Sequence, residues 1–186
     1  KLYLVIQKGN GCPPSHHFER RDEAMVEIGF NLGGSIQCEV RQGAGACQTL
    51  KVRPGQAHIG FYPDCSGILE YSGDQPVRWV GIFVPACMFR MFFDRPLDDL
   101  GSRGTDLGRK CLVYKIVSSI TADMKVALHQ ILMCPFMGKT KGLFLESKVL
   151  ELISHVRFSV DRSPECSRSS AVNLTADGNE KMWQAK

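Results

Sequence analysis

The stretch from Leu128 to Leu152, LHQILMCPFMGKTKGLFLESKVLEL, constrains the fold more than any other part of this chain. Two helical periodicities meet in it at a tight break made by Pro135 and Gly138. Ahead of it Thr121 offers an N-cap, and Asp123 places a negative charge in the first turn, where the helix dipole favours one. Met124, Leu128 and Ile131 then recur at helical spacing, so Ala122 to Met133 is expected to form an amphipathic helix. Thr140 is expected to cap a longer helix reaching about Val160.

That longer helix is apolar over roughly half its circumference, more than one core contact needs. Leu145, Val149, Leu152 and Val156 make one stripe, and Leu143, Leu150 and Ile153 make a second beside it. One stripe is expected to serve the domain's own core and the other a second subunit. Leu143, Leu150, Ile153 and Arg157 are the expected dimer-interface residues. Glu146 falls inside the apolar half. A buried carboxylate needs a backbone N–H or a cation, so Glu146 is expected to anchor the hairpin or the β layer.

Upstream the texture is β. Runs at Met25–Leu32, Ser35–Val40, Cys47–Arg53, Gln56–Tyr62, Ile68–Tyr71 and Val77–Val84 are punctuated by Gly33-Gly34, the Gln42–Gly45 cluster and Pro54-Gly55. Short strands at regular spacing predict a barrel or sandwich, with a jelly roll as the expected closure. Ala86 to Phe93 reads as a short helix opened by Pro85, and Asp94 to Lys110 as a polar connection. Cys111 to Val117 suits strand or helix equally. Gly9 to Ser15 is polar, and His16 and His17 read as part of a solvated loop. The expected organisation is therefore mainly β with appended α: a barrel over 1–117, an antiparallel helical hairpin over 118–160, and a linker over 161–186.

Composition excludes several classes. The 186 residues are 44% hydrophobic and 23% charged, ordinary for a folded domain, and a net charge of +4 is too mild for a nucleic-acid-binding surface. The eight cysteines are scattered without a CxxC pair, which suggests reduced thiols in a cytoplasmic protein and disfavours zinc. No apolar run is long enough to span a membrane. Lys1 and Lys186 both read as cut ends, so a fragment of a longer protein is expected.

The segment from Gln130, QILMCPFMGKTKGLFLESKVLEL, resembles the hairpin motif of AraC-type transcription regulators that respond to siderophores such as pyochelin and yersiniabactin. LKVRPGQAHIGFYP, from Leu50, is similar to the strand–turn–strand of that family's cupin-like barrel. The terminal NLTADGNEKMWQAK, from Asn173, resembles the entry to its helix-turn-helix domain, although Gly178 and Met182 depart from the usual pattern. The resemblance implies an N-terminal domain that binds a small-molecule effector, a ferric siderophore among the candidates, and forms a homodimer. DNA would be contacted only through a C-terminal domain outside this chain.

A barrel interior is a natural ligand cavity. An aryl-bearing anionic effector would want aromatic surface and a cation, for which Phe30, Arg53, Phe61, Arg78 and Trp79 are the candidates. Each also has a plain reading as a core aromatic or a solvated arginine. Alternation puts His58, Gly60 and Tyr62 on one face of a strand and Ala57, Ile59 and Phe61 on the other, without saying which is interior. A metal-dependent cupin enzyme is the alternative. It would require a His-x-His pair that the chain lacks, and neither a nucleophile motif nor a catalytic set is visible. No cofactor, metal or enzymatic activity is expected. A purely structural dimerisation module is the other alternative.

Overall fold

The computed structural model describes residues 2–9, 15–20, 25–42, 47–63, 65–72, 76–97 and 113–162. Within them the chain forms β1 (Tyr3–Gly9), β2 (Ser15–Arg20), β3 (Met25–Gly33), β4 (Ser35–Gln42), β5 (Cys47–Val52), β6 (Gln56–Phe61), β7 (Cys65–Ser72) and β8 (Val77–Pro85). The helix α1 (Ala86–Phe93) follows, then β9 (Val113–Ser119), α2 (Ala122–Leu132) and α3 (Gly138–Asp161). All strand pairs are antiparallel. One sheet has the order β1-β8-β3-β6-β9 and the other β2-β7-β4-β5.

The five-stranded sheet is covered on both faces, which explains why β3 is apolar almost throughout. Its outer face carries Val26, Ile28 and Phe30 of β3, Ala57, Ile59 and Phe61 of β6, and Val80, Ile82 and Val84 of β8. These residues form one core with Phe89 and Phe93 of α1, Leu128 and Ile131 of α2, and Val149, Leu152 and Val156 of α3. Fully burying a side chain of this size is worth about 1.5–3 kcal/mol, so the helices are held chiefly by this face. The inner face meets the four-stranded sheet, where Ile36 and Val52 pack with Val77, Trp79 and Tyr114. The molecule is thus layered as helices, five strands, four strands. Among the described residues no helix is long and apolar enough to cross a membrane.

α2 begins where its cap predicts: the Thr121 side chain accepts from the Met124 backbone N–H at 3.2 Å. α2 and α3 follow one another across 133–137 and pack together.

Several expectations are corrected. His16 and His17 lie in β2, paired with β7, rather than in a loop. An edge strand takes its partner's ladder, and this one carries no apolar alternation that could announce it. The undecided segment after Lys110 is strand from Val113 to Ser119, paired with β6. α3 starts at Gly138, not Thr140, because Gly138 takes a φ of 56°, a left-handed conformation open to glycine, and redirects the chain two residues early. Glu146 is exposed, not buried. Leu143, one turn before it, is 70% exposed, so this side of the start of α3 lies outside the core that the helix joins at Val149.

Two of the three residues of the second apolar stripe are left over. Leu143 and Leu150 are exposed, but Ile153, expected at a dimer interface, is 3% exposed and belongs to the domain's own core. Arg157 donates to the Phe92 carbonyl at 3.1 Å and sits 3.6 Å from Asp161, so it ties α3 to α1. Apart from Asp161 and Arg162, the expected linker over 161–186 lies outside the described residues.

Candidate functional site

The inner face of the five-stranded sheet is built differently from the outer one. Gly29 of β3 stands directly opposite Gly81 of β8 on one side and His58 of β6 on the other. A Cβ on Gly29 would lie 2.1 Å from the His58 ring, and one on Gly81 2.0 Å from the Trp79 indole. The two rings therefore occupy the room that missing side chains leave. Tyr62 covers Gly60 in the same way. The result is a wall whose floor is backbone and whose surface is aromatic edges and faces.

One row along, Glu27 faces Gly60 of β6 and Phe83 of β8. Its Oε1 is 3.0 Å from His58 Nε2, with both residues under 9% exposed. Tyr114 of β9 packs at 5.5 Å, tilted 40°, against the His58 ring and donates its hydroxyl to the Lys51 carbonyl at 3.3 Å. Burial first, then the Glu27 carboxylate and Cys38, push the Tyr114 phenol well above its ordinary range, so it stays protonated. Trp79 meets Phe83 edge-on at 6.0 Å, and Gln7 donates to the Tyr71 hydroxyl at 2.9 Å between the two sheets. Asn31, fully buried, donates to the Gly34 and Val52 carbonyls at 2.8 and 3.3 Å, tying β3 to β5.

The five residues nominated from sequence are not brought together. Trp79 is on this wall. Phe30 and Phe61 belong to the outer face and are buried against the helices, because large apolar residues on β3 and β6 alternate toward that side. Arg78 is exposed, on the face opposite Trp79, and Arg53 is exposed in the β5–β6 turn. The residues missed are Glu27, His58 and Tyr114. Glu27 had a signal: a single carboxylate in the run Val26–Phe30 must find a partner, and His58 alternates onto a strand that can pair with it. Among the described residues no three His, Cys, Asp or Glu side chains are grouped to hold a metal ion.

Residues 12–168 match the family described as the regulatory protein PchR N-terminal domain. The chain belongs to this family. This PchR-type domain is, by the family's description, the N-terminal domain of a regulatory protein. Its fold is similar to that of apo ToxT from Vibrio cholerae, at 12% identity and a TM-score of 0.50, over 86% of this chain and 57% of that one. ToxT bound to (E)-4-(8-methylnaphthalen-1-yl)but-3-enoic acid aligns at 9% identity and 0.46, over 90% and 63%. A Bacillus subtilis oxalate decarboxylase aligns at 17% identity and 0.30, over 62% and 32%. The PchR-type domain thus spans little more than half the length of the ToxT it resembles. No curated protein matches it in sequence.

Proposed function

We propose that the domain senses a small aromatic effector held between the two sheets, and that α2 and α3 report its presence to a second copy of the chain. The observation that carries this reading is the division of labour within three strands. β3, β6 and β8 present Glu27, His58 and Trp79 inward and the α2–α3 core outward. A shift of any of these strands on ligand binding is felt at once by the helices, because close-packed interiors transmit displacement. The strand order, with β1-β8-β3-β6 facing β2-β7-β4-β5, supports reading the β layer as a jelly roll closed around that space.

α2 and α3 form an antiparallel hairpin in this account, and α3 offers the dimer surface. Leu143, Leu150 and Phe158 are exposed at close to heptad spacing. Ser147 and Ser154 lie between them, and each hydroxyl donates back to a carbonyl of its own helix, so neither demands a polar partner. Effector binding would bias how two C-terminal DNA-binding domains sit on adjacent half-sites in the cytoplasm. A ferric siderophore is the effector suggested by the family resemblance. A thermal-shift screen of the chain against ferric siderophores and small aromatics tests the reading, since a ligand of the native state raises Tm by mass action. Stabilisation that Trp79→Ala abolishes supports it; an unchanged Tm with every compound opposes it.

A further inference from the structure

His58 is 3% exposed, and its second ring nitrogen, Nδ1, is buried with no hydrogen-bond partner among the described residues. Native interiors leave few such atoms, because each forfeits about 1–3 kcal/mol. The neighbours decide what this one can do. Glu27 faces His58 Nε2 from β3, and the tautomer that joins the two carries its proton on Nε2, with Oε1 accepting. Neutral imidazole then offers Nδ1 as a bare acceptor. Tyr114 faces the ring from β9 but spends its proton on the Lys51 carbonyl. Cys38, beside Tyr114 on the opposite sheet, and Tyr62, over Gly60, are the further titratable groups there among the described residues. From β8 comes Gly81, which carries none.

Among the described residues the same wall carries no cation. Arg78 is on the opposite face, Arg53 is in an exposed turn, and Lys115 stands opposite Ile59, in register with the outer face. A carboxylate brought beside Glu27 would be desolvated without a counter-charge.

We propose that the inter-sheet space takes a planar aromatic ligand that presents an uncharged O–H or N–H donor to His58 Nδ1, with Glu27 fixing His58 as the acceptor. The proposal rests on the reading of this space as the effector site and adds a rule of selection to it. Planarity follows from the wall's surface, where the His58, Tyr62 and Trp79 rings lie over Gly29, Gly60 and Gly81 and offer flat faces for another ring to stack on. Glu27 is a positioning residue: it acts on the ligand through the imidazole.

The test is calorimetric titration of the chain at neutral pH with a matched planar series, naphthol, its methyl ether and naphthoate. Naphthol is expected to bind at least about tenfold more tightly than the other two, the value of one buried donor–acceptor bond. His58→Phe is expected to erase that preference. Glu27→Gln, whose amide can donate to Nε2 and move the ring proton to Nδ1, is expected to narrow or reverse the preference for naphthol over the ether. If His58→Phe does not fold, the imidazole nitrogen NMR spectrum of the unaltered chain replaces it, with Nδ1 expected unprotonated. A protonated Nδ1 would overturn the proposal. Naphthoate binding as tightly as naphthol, with both weakened by Trp79→Ala, would overturn the donor rule while leaving the effector site standing. No binding of any probe, or binding indifferent to Trp79→Ala, would overturn both.

Discussion

Glu27 and His58 stand on adjacent strands with 3.0 Å between Oε1 and Nε2, and the imidazole lies where a side chain on Gly29 would be. The pair exists because three positions cooperate: a carboxylate on β3, a glycine two residues on, and a histidine across the ladder.

Gly29→Ala is therefore expected to be costly. The new methyl group would meet the His58 ring at 2.1 Å, so the ring must leave its place and Glu27 loses its partner. Overpacking of this kind costs about 1–3 kcal/mol. Urea unfolding of Gly29→Ala should show that loss. Gly142→Ala, at an exposed helical position with nothing within 4 Å, should be neutral or slightly stabilising.

Asn31 should be among the least replaceable polar residues. Its amide serves two carbonyls and its Oδ1 accepts from the Gly33 N–H at 3.2 Å, all at zero exposure. Asn31→Ala strands those groups and is expected to cost about 2–3 kcal/mol in chemical denaturation. Asn31→Asp should fare no better, because a carboxylate cannot donate to the Val52 and Gly34 carbonyls.

Tyr114 makes stability depend on alkaline pH. Its phenol titrates higher in the folded chain than the ordinary value of about 10. Where only the unfolded chain has lost the proton, the folded state binds more protons, and rising pH destabilises it. The contribution is full below about pH 10 and is lost progressively above it. Unfolding measured from pH 8 to pH 11.5 should fall less steeply at the alkaline end in Tyr114→Phe than in the unaltered chain.

The two sides of α3 should separate under mutation. Leu152→Ala opens the core under β3, where Leu152 has zero exposure, and is expected to cost about 2–5 kcal/mol. Leu143→Ala and Leu150→Ala, both exposed, should each stay within about 0.5 kcal/mol by thermal unfolding. The proposed dimer predicts that this second pair nonetheless shifts sedimentation toward monomer. Dimerisation unchanged by the pair would place the interface elsewhere.

Much of this architecture was legible in the sequence. α2 announced itself through Thr121 and the spacing of Met124, Leu128 and Ile131, and the turns that carry the chain from one sheet to the other through Gly33-Gly34 and Pro54-Gly55. β2 and β9 were not legible, because a strand at a sheet edge is specified by the backbone it joins as much as by its own pattern. The candidate site was lost to a single ambiguity. With both faces of β3, β6 and β8 buried, alternation separates two sets of residues without saying which set faces the second sheet. The set containing Phe30 and Phe61 looked like a ligand surface because it is aromatic. The decisive sign was instead the glycines at 29, 60 and 81, which share the other face: room for rings is found where side chains are missing.

In the proposed function one wall both receives the effector and holds the helices. Hydrogen exchange of the chain with and without a compound that raises its Tm tests this most directly. Added protection is expected in β3, β6 and β8 together with a change along α2 and α3, both absent in Trp79→Ala. Protection confined to the outer surface of the four-stranded sheet, with α2 and α3 unmoved, would contradict it.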